Sequence, residues 1–454
     1  MLFKIKVFLK KQFKDIKIFV SKQIIDIKAY GIRELFRKFY LLIKFLARIP
    51  IDIIAIVPCV IIRLMRPWVI IRLHNVCVVN YGNFVRDLAI YFCKKKLKID
   101  QPTKKYIDLL YIHHKDKLYN KQLAKMWKRK LNFLSGYLLD PINRVNKLIP
   151  GWKNHAISFI RERDIDHLFE KYQVLDFTTE EEIYGKKMLS KFGLKDEDKF
   201  VCLLVRDGAY QLKKISARYR DWHYHDYRHT DIDKFILAAE ELAKRGYYIF
   251  RMGVIVEKPF NSKNPKIIDY ANSNLRSDFM DIYLGAKCSF CISTGSGFQD
   301  LPRLFRKPVA LMEIPLGSLY VHHEKFLLIT KHHILKKEKR KLSLSEIFSH
   351  GVAYAFKTET FEQKGVELVD NTPDEIKDLA IEMVENFECK KKSNPEDEEL
   401  QEIFRSLYAF NVKRFNCNDS MPKPADSNFA SIINGQIKSR FSTKFLRENK
   451  NWLR

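Results

Sequence analysis

Phe290 to Pro315 reads FCISTGSGFQDLPRLFRKPVALMEIP. A short apolar strand runs into Ser-Thr-Gly-Ser-Gly, where small residues allow a tight turn. A short helix follows, and Val309 to Met312 forms a second strand. This is one step of a parallel α/β sheet. Working upstream, FVCLLVRDGAY (Phe200 to Tyr210) opens the same series with a strand. After it come a polar loop crowded with His, Tyr and Arg, a helix over Ile232 to Arg245, and a strand over Gly246 to Phe250. A helix over Asp278 to Ala286 and a strand over Ser289 to Ser293 lead back to the turn. The alternation predicts an α/β domain with a parallel doubly wound sheet, whose ligands bind beyond the carboxyl ends of the strands. Those ends carry Arg206-Asp207-Gly208, Arg251-Met252-Gly253, Ser293 to Gly297, and Glu313.

The chain has 454 residues, more than one core usually serves, so two globular domains with accessories are expected. NVCVVNYGNFVRDLAIYFCKKKL (Asn75 to Leu97) reads as a strand, a turn at Tyr81-Gly82-Asn83 and a helix, the first βα unit of an earlier domain. Short strands (YIDLLYIHH) and basic helices (KQLAKMWKRKLNFL) continue to about Phe192, and KDEDK marks a hydrophilic joint. The expected division is residues 1–72, 73–195, 196–386 and 387–454. The last segment joins a charged stretch, CKKKSNPEDEEL, to a C-terminal helix that packs back on the body. The eight cysteines are scattered and suit free thiols in a reducing compartment.

The formal charge is +28, which favours a polyanionic partner. Residues 1–72 hold sixteen Lys/Arg and four Asp/Glu, a net of +12. Phe13, Ile16, Val20, Ile24 and Ile27 recur at helical spacing between lysines. A second helical run carries Leu35, Phe36, Phe39, Leu42, Phe45 and Leu46. The longest uncharged apolar run, Ile53 to Ile62, has ten residues and includes Pro58, short of the roughly 20 a spanning helix needs. Charges run throughout and no cleavage site follows, so a signal peptide is not expected. The reading is an in-plane anchor: apolar faces enter the headgroup boundary, while Lys and Arg meet anionic lipid at about 1 kcal/mol each. Ordinary helices packed on the protein are the alternative. A nucleic-acid arm would leave this density of Phe, Ile and Leu without purpose, and no nucleic-acid partner is expected.

Backbone N–H groups at a strand-to-helix turn make an anion site, and glycine lets a phosphate come close. Ser293, Thr294 and Ser296 add hydroxyl donors, so the turn suits a phosphate or diphosphate. No Gly-Lys-Ser/Thr follows, which excludes a P-loop. Asp300 stands where the dinucleotide fingerprint needs its third glycine. The turn by itself also fits a purely structural role, with glycine at positive φ.

Four segments together resemble a family of bacterial, largely uncharacterised glycosyltransferases of the GT-B type, associated with surface polysaccharides. They are RDGAY, KFILAAEELAKRGYYIFRMG, SDFMDIYLGAKCSFCISTGSGFQDLPRLFRKPV and the tail NGQIKSRFSTKFLRENKNWL. The resemblance runs from about residue 70 to the end. It departs from the family at the first strand, where a turn closer to RIGH is expected and this chain has NYGNF. It implies two Rossmann-like domains facing a cleft, an acceptor domain over 73–195 and a donor domain over 196–386. The nucleotide-sugar would be a co-substrate, the acceptor a glycan or a lipid-linked glycan, and no bound metal or cofactor is required. The expected location is cytoplasmic, peripheral on the inner face of the cell membrane.

Under that resemblance Ser293, Thr294, Gly295, Ser296 and Gly297 would grip the donor diphosphate. Gln299 and Asp300 either bond sugar or ribose hydroxyls or simply favour the helix start. Arg206 would neutralise the leaving diphosphate. Asp207 would act as base or sugar contact, unless the two only fix their loop. Within DWHYHDYRHTDID, which holds His223, His225 and His229, Arg228 is the pick for a phosphate-facing residue. The three histidines lack the partners of a zinc site, and Asp231 to Asp233 reads as helix capping. Arg251 and Gly253 would meet base or ribose, and Glu313 ribose hydroxyls; a plain turn and a loop carboxylate are the alternatives. Tyr81, Gly82 and Asn83 would lie on the acceptor side. Cys288 and Cys291 read as core thiols. Two other functions fit the same fold: a nucleotide-sugar 2-epimerase-type enzyme, and a membrane-bound scaffold without catalysis.

Overall fold

A computed structural model describes residues 31–113, 118–157, 167–210, 223–319, 321–389, 394–417 and 437–454. The helical run expected over Phe13 to Ile27 lies outside these residues, as do the side chains of Leu35, Leu42 and Phe45. The chain divides into two compact units. One comprises Met1–Asn75, Thr103–His114 and Leu134–Ile157, the other Val76–Pro102, Lys115–Phe133 and Ser158–Arg454.

The first unit carries helices Ile32–Leu46 and Ile49–Leu64, then strand β1 (Ile70–Asn75). β1 pairs in parallel with β2 (Tyr106–Tyr111), and β3 (Phe133–Leu134) completes a three-stranded sheet. The sequence places the start of a strand at Asn75; the strand ends there instead. Its β-branched run, Val69 to Ile71, follows Pro67, where a helix cannot continue, and lies within the segment read as membrane-associating. The Arg72 guanidinium clamps Asp108 across the sheet at 2.6 and 2.9 Å, both groups buried. Helix Ile49–Leu64 is partly docked. Ala55 and Cys59 pack with Leu139, Ile142 and Val145 of helix Gly136–Leu148, and Asp52 pairs with Arg144 at 2.6 Å. Its other side, with Ile54, Val57 and Leu64, is open to solvent.

The second unit is built on β4 (Phe200–Leu204), β5 (Tyr248–Arg251), β6 (Ile267–Ile268), β7 (Phe290–Ser293), β8 (Val309–Leu311) and β9 (Phe326–Leu328). A small antiparallel sheet follows, from β10 (His332–Leu335), β11 (Arg340–Lys341) and β12 (Val366–Val369). The last strand is β13 (Arg440–Phe441). The main sheet runs β13-β9-β8-β7-β4-β5-β6, with every described pairing parallel. The expected parallel doubly wound sheet is therefore present. Its central strands are buried on both faces, which is why FVCLL is apolar throughout and FCIS is apolar up to Ser293 at its carboxyl end. The chain winds outward from β4 through β5 to β6, returns to β7 beside β4, and winds the other way. The switch point lies between β4 and β7, where the two connections part and leave a crevice.

The tail closes on this unit. Helix Pro395–Cys417 starts within the charged stretch, and β13 adds to the edge of β9. Gln401 satisfies the outer edge of β13: it donates to the Phe441 carbonyl at 2.7 Å and accepts from the Phe441 N–H at 3.0 Å. Phe404, Phe441, Phe445 and Trp452 pack ring on ring beneath it.

Candidate functional site

The carboxyl ends of β4 and β7 are tied together at the switch point. The Thr294 N–H donates to the Leu204 carbonyl at 3.1 Å, and the Arg206 N–H donates to Thr294 Oγ1 at 2.7 Å. Beyond them opens a cavity of about 580 Å³ within the second unit. Its wall includes Arg206, Asp207 and Tyr210 after β4, Met252 to Val256 after β5, and Gly295 to Asp300 after β7. His225, Tyr227 and Arg228 close one side; Asn80 to Asn83, Arg86, Tyr119 and Asp281 close another.

The polar groups of the glycine turn are largely engaged within it. Ser293 Oγ donates to Gln299 Oε1 at 3.0 Å and accepts from the Gly295 N–H. Ser296 Oγ caps the following turn by accepting from the Phe298 N–H. Gly295 has φ +79°, and a Cβ there would lie 2.6 Å from Ile314. Gly297 answers to a different constraint, because a Cβ on it would lie 2.6 Å from the Gly82 nitrogen. Helix Tyr81–Leu97 is therefore seated directly on the turn. Asp300 lies inside that contact, its carboxylate shared between Arg86 at 3.2 Å and Arg303 at 3.4 Å. Tyr81-Gly82-Asn83 forms the first turn of this 17-residue helix. Its cap, Asn80, makes no side-chain bond, and no acidic residue stands in that turn.

Arg206 dominates the electrostatics. Its Nε and Nη2 are shut off from solvent and have no hydrogen-bond partner among the described residues. Burial, then the neighbouring Arg228, holds its guanidinium well below the ordinary value, at about 9. Arg228 reaches the carbonyl of Gly295 with one nitrogen, while its Nε is buried and has no partner among the described residues. Asp207 forms an ion pair with neither, though its charge partly offsets that of Arg228 at Arg206. Its Oδ1 accepts from the Ala209 N–H at 3.0 Å and its Oδ2 from the Glu257 N–H at 2.8 Å, which pins two loops of the cavity wall. Among the described residues neither of these two neighbouring arginines on the cavity wall forms an ion pair with a carboxylate, an arrangement that burial makes costly unless an anion completes it.

Not every expected residue reaches the cavity. Arg251 is buried beneath it, bonded to Asp269 at 3.1 Å and to the Lys258 carbonyl, whereas Gly253 lies on the wall. Glu313 is also buried and off the wall; it accepts from the Asn371 N–H at 2.7 Å. Burial and the nearby Asp370 push its carboxyl up to about 8, so it is neutral at pH 7. Lys331 serves Asp370 instead, 2.6 Å away against 4.0 Å to Glu313. Asp231 caps its helix start by accepting from the Asp233 N–H, and Lys258 bridges the two carboxylates. Cys288 and Cys291 are buried.

Sequence reasoning missed Arg86, Tyr119 and Asp281 on the wall. Asp281 is buried and paired with Arg276 at 2.6 Å. Its spacing from Asp278 puts the two one helical turn apart, which does not tell which of them faces inward. Tyr119 packs between Tyr81 and Tyr210 with its ring tilted to both, centroids 4.9 and 5.5 Å away, an aromatic wall drawn from three separate segments.

No family model matches the chain, and no curated protein matches it. Among solved structures, it is similar to the glycosyl transferase family 9 from Veillonella parvula DSM 2008, at 10% identity and a TM-score of 0.35 over 58% of this chain and 85% of that one. It is also similar to the E. coli ADP-heptose lps heptosyltransferase II, at 10% identity and a TM-score of 0.38 over 70% of this chain and 100% of that one. Likenesses this remote say nothing of chemistry, which has to be read from the strand order and the cavity.

Proposed function

We propose that the chain is a GT-B glycosyltransferase that moves a sugar from a nucleotide-sugar to a glycan or lipid-linked acceptor in bacterial surface polysaccharide synthesis. The observation that carries this reading is the Arg206 guanidinium beside Arg228 at the switch point of a doubly wound sheet, with Nε and Nη2 buried and without a partner among the described residues. Two planar cations in a crevice of low dielectric suit the diphosphate that leaves when the glycosidic bond of the donor breaks. Their charge matters most as the leaving group gains charge, which is where binding becomes catalysis. No residue needs to hold a metal for this.

In this reading residues 196–386 hold the donor. The N-terminus of helix Tyr81–Leu97, which has no side-chain cap, lies on the side assigned to the acceptor and presents the positive end of its dipole there. Tyr81, Tyr119 and Tyr210 offer ring faces on which a sugar can stack. Gly253 lines the wall on the side that would meet base or ribose. Ser293, Gln299, Asp300, Arg251 and Glu313 shape the floor and hold the loops. Asp207 positions two walls of the cavity and is not the first choice for a base.

The basic N-terminal region holds the enzyme on the inner face of the membrane, where lipid-linked glycan is found. No helix among the described residues is long and apolar enough to cross a membrane. The exposed apolar side of Ile49–Leu64 suits in-plane contact.

The test is a thermal shift of the full chain with UDP, GDP, ADP and CMP, followed by nucleotide release from matching sugar donors. At least one nucleotide is expected to stabilise the protein, and Arg206→Gln to weaken its binding about 10- to 100-fold, as for the loss of a charge-assisted contact. Stabilisation by none of the four would refute the reading. Release of nucleotide without any acceptor would replace transfer by epimerase-type chemistry.

A further inference from the structure

The short helix His223–Arg228 brings one more side chain to the arginines. His225 lies on the cavity wall with Arg206 and Arg228, its ring against that of Tyr224, with centroids 3.9 Å apart. We propose that His225 is a third phosphate ligand of this cavity, and that it joins Arg206 and Arg228 by taking a proton from solvent when an anionic phosphoryl ligand binds. The inference rests on the transferase reading and names a residue and a proton that the reading does not need.

Charge balance supports this role. A nucleoside diphosphate carries about three negative charges at pH 7, since its terminal phosphate titrates near 6. Arg206 and Arg228 supply two positive charges. A third fixed cation in the empty cavity would add like-charge repulsion to burial, whereas a histidine can supply it on demand.

The surroundings of His225 are those of a switchable cation. Burial, then Arg206, Arg228 and His229, pushes its imidazole down to about 3 in the free protein. Asp226 does not relieve this, because its carboxylate serves His223 at 2.9 Å and His229 at 3.5 Å. Burial and Arg206 also hold His229 low, opposed by Asp226 and Asp207, with Lys331 acting in the same sense as the arginines. Among the described residues the rings of Tyr224 and Tyr227 also lie against it, with centroids 3.9 and 6.2 Å away. A bound diphosphate reverses the field of the two arginines, and the imidazolium then becomes the favoured form and a hydrogen-bond donor to the phosphate. The reaction is His225 plus one proton from buffer, with no other atoms moved.

Calorimetry of the full chain with the nucleotide found by thermal shift, in buffers of different ionisation enthalpy at pH 7, counts the protons. Net uptake approaching one proton is expected. The ligand cannot mimic this, because a terminal phosphate bound by arginines loses protons and gives the opposite sign. His225→Gln is expected to abolish the uptake and weaken binding about tenfold at pH 7. The two proteins should converge toward pH 9, because the wild type loses affinity by up to tenfold per pH unit between the free-state and bound-state pKa and levels off above the latter. Binding by the wild type without proton uptake would overturn the proposal and leave the transferase reading standing. So would equal uptake by His225→Gln. Absence of binding by every nucleotide would remove the transferase reading and this one with it.

Discussion

At the scale of the residue, Arg206 separates a functional site from a structural one. An arginine kept for stability forms ion pairs, as Arg72 does with Asp108 at 2.6 Å. Arg206 has two buried nitrogens without partners among the described residues and a cation, Arg228, as its neighbour. Burying such a charge costs folding energy, and replacing buried ionic groups by apolar ones of similar volume is often stabilising. Arg206→Met should therefore raise the melting temperature of the ligand-free protein by a few degrees, about 1 kcal/mol, while erasing its response to nucleotide. Differential scanning fluorimetry of wild type and variant, with and without nucleotide, reads both effects. A variant that melts lower than wild type without ligand would make Arg206 structural. The same contrast shows what was legible at this scale. RDGAY at a strand end marked Arg206, whereas the lack of a partner depends on Asp207 turning to the N–H groups of Ala209 and Glu257, which no local pattern shows.

At the scale of the element, the glycine turn is as much a seat for a helix as a cradle for a ligand. Gly82 and Gly297 meet backbone to backbone, and Arg86 reaches across that contact to Asp300. Gly297→Ala puts a methyl group 2.6 Å from the Gly82 nitrogen and 3.0 Å from its Cα. Backbone cannot yield as a flexible side chain does, so helix Tyr81–Leu97 must shift, at about 1–3 kcal/mol. The expected result is a lower denaturation midpoint together with weaker nucleotide binding, because the N-terminus of that helix forms part of the cavity wall. Unchanged midpoint and affinity in urea titration and calorimetry would show that the contact is not needed. The turn itself was visible in the sequence, since strand, glycines and helix follow in order. The reason for its second glycine was not, because its partner lies 215 positions away in the chain. The main sheet was legible for the same local reason, as apolar runs of strand length alternate with helical ones. β1 was not, because VIIRL continues an apolar segment that suits helix and strand alike. Two-residue β13 is too short to carry any period.

At the scale of the whole molecule, the question is why a chain of net charge +28 leaves apolar side chains in water. Ile54 is 72% exposed, Val57 63%, Leu64 67% and Trp68 76%, a cluster beyond the scatter of single apolar residues on ordinary surfaces. Helix Ile49–Leu64 has 16 residues, about 24 Å of helix, too short for a hydrocarbon core of about 30 Å. Its docked side, through Ala55, Cys59 and the Asp52–Arg144 pair, fixes which face is left over. Such a face suits the headgroup boundary, with the surplus Lys and Arg of residues 1–72 drawn to anionic lipid. Flotation of the full chain with vesicles containing anionic phosphatidylglycerol tests this. The wild type should float, less so at high salt, because the lysine and arginine share of the attraction is screened. Ile54→Asp with Val57→Asp should lose most flotation at any salt while keeping its nucleotide thermal shift, since both residues are exposed and neither lines the cavity. Flotation equal to wild type would leave the apolar face without a membrane role, and the charge alone would then account for any binding that salt removes.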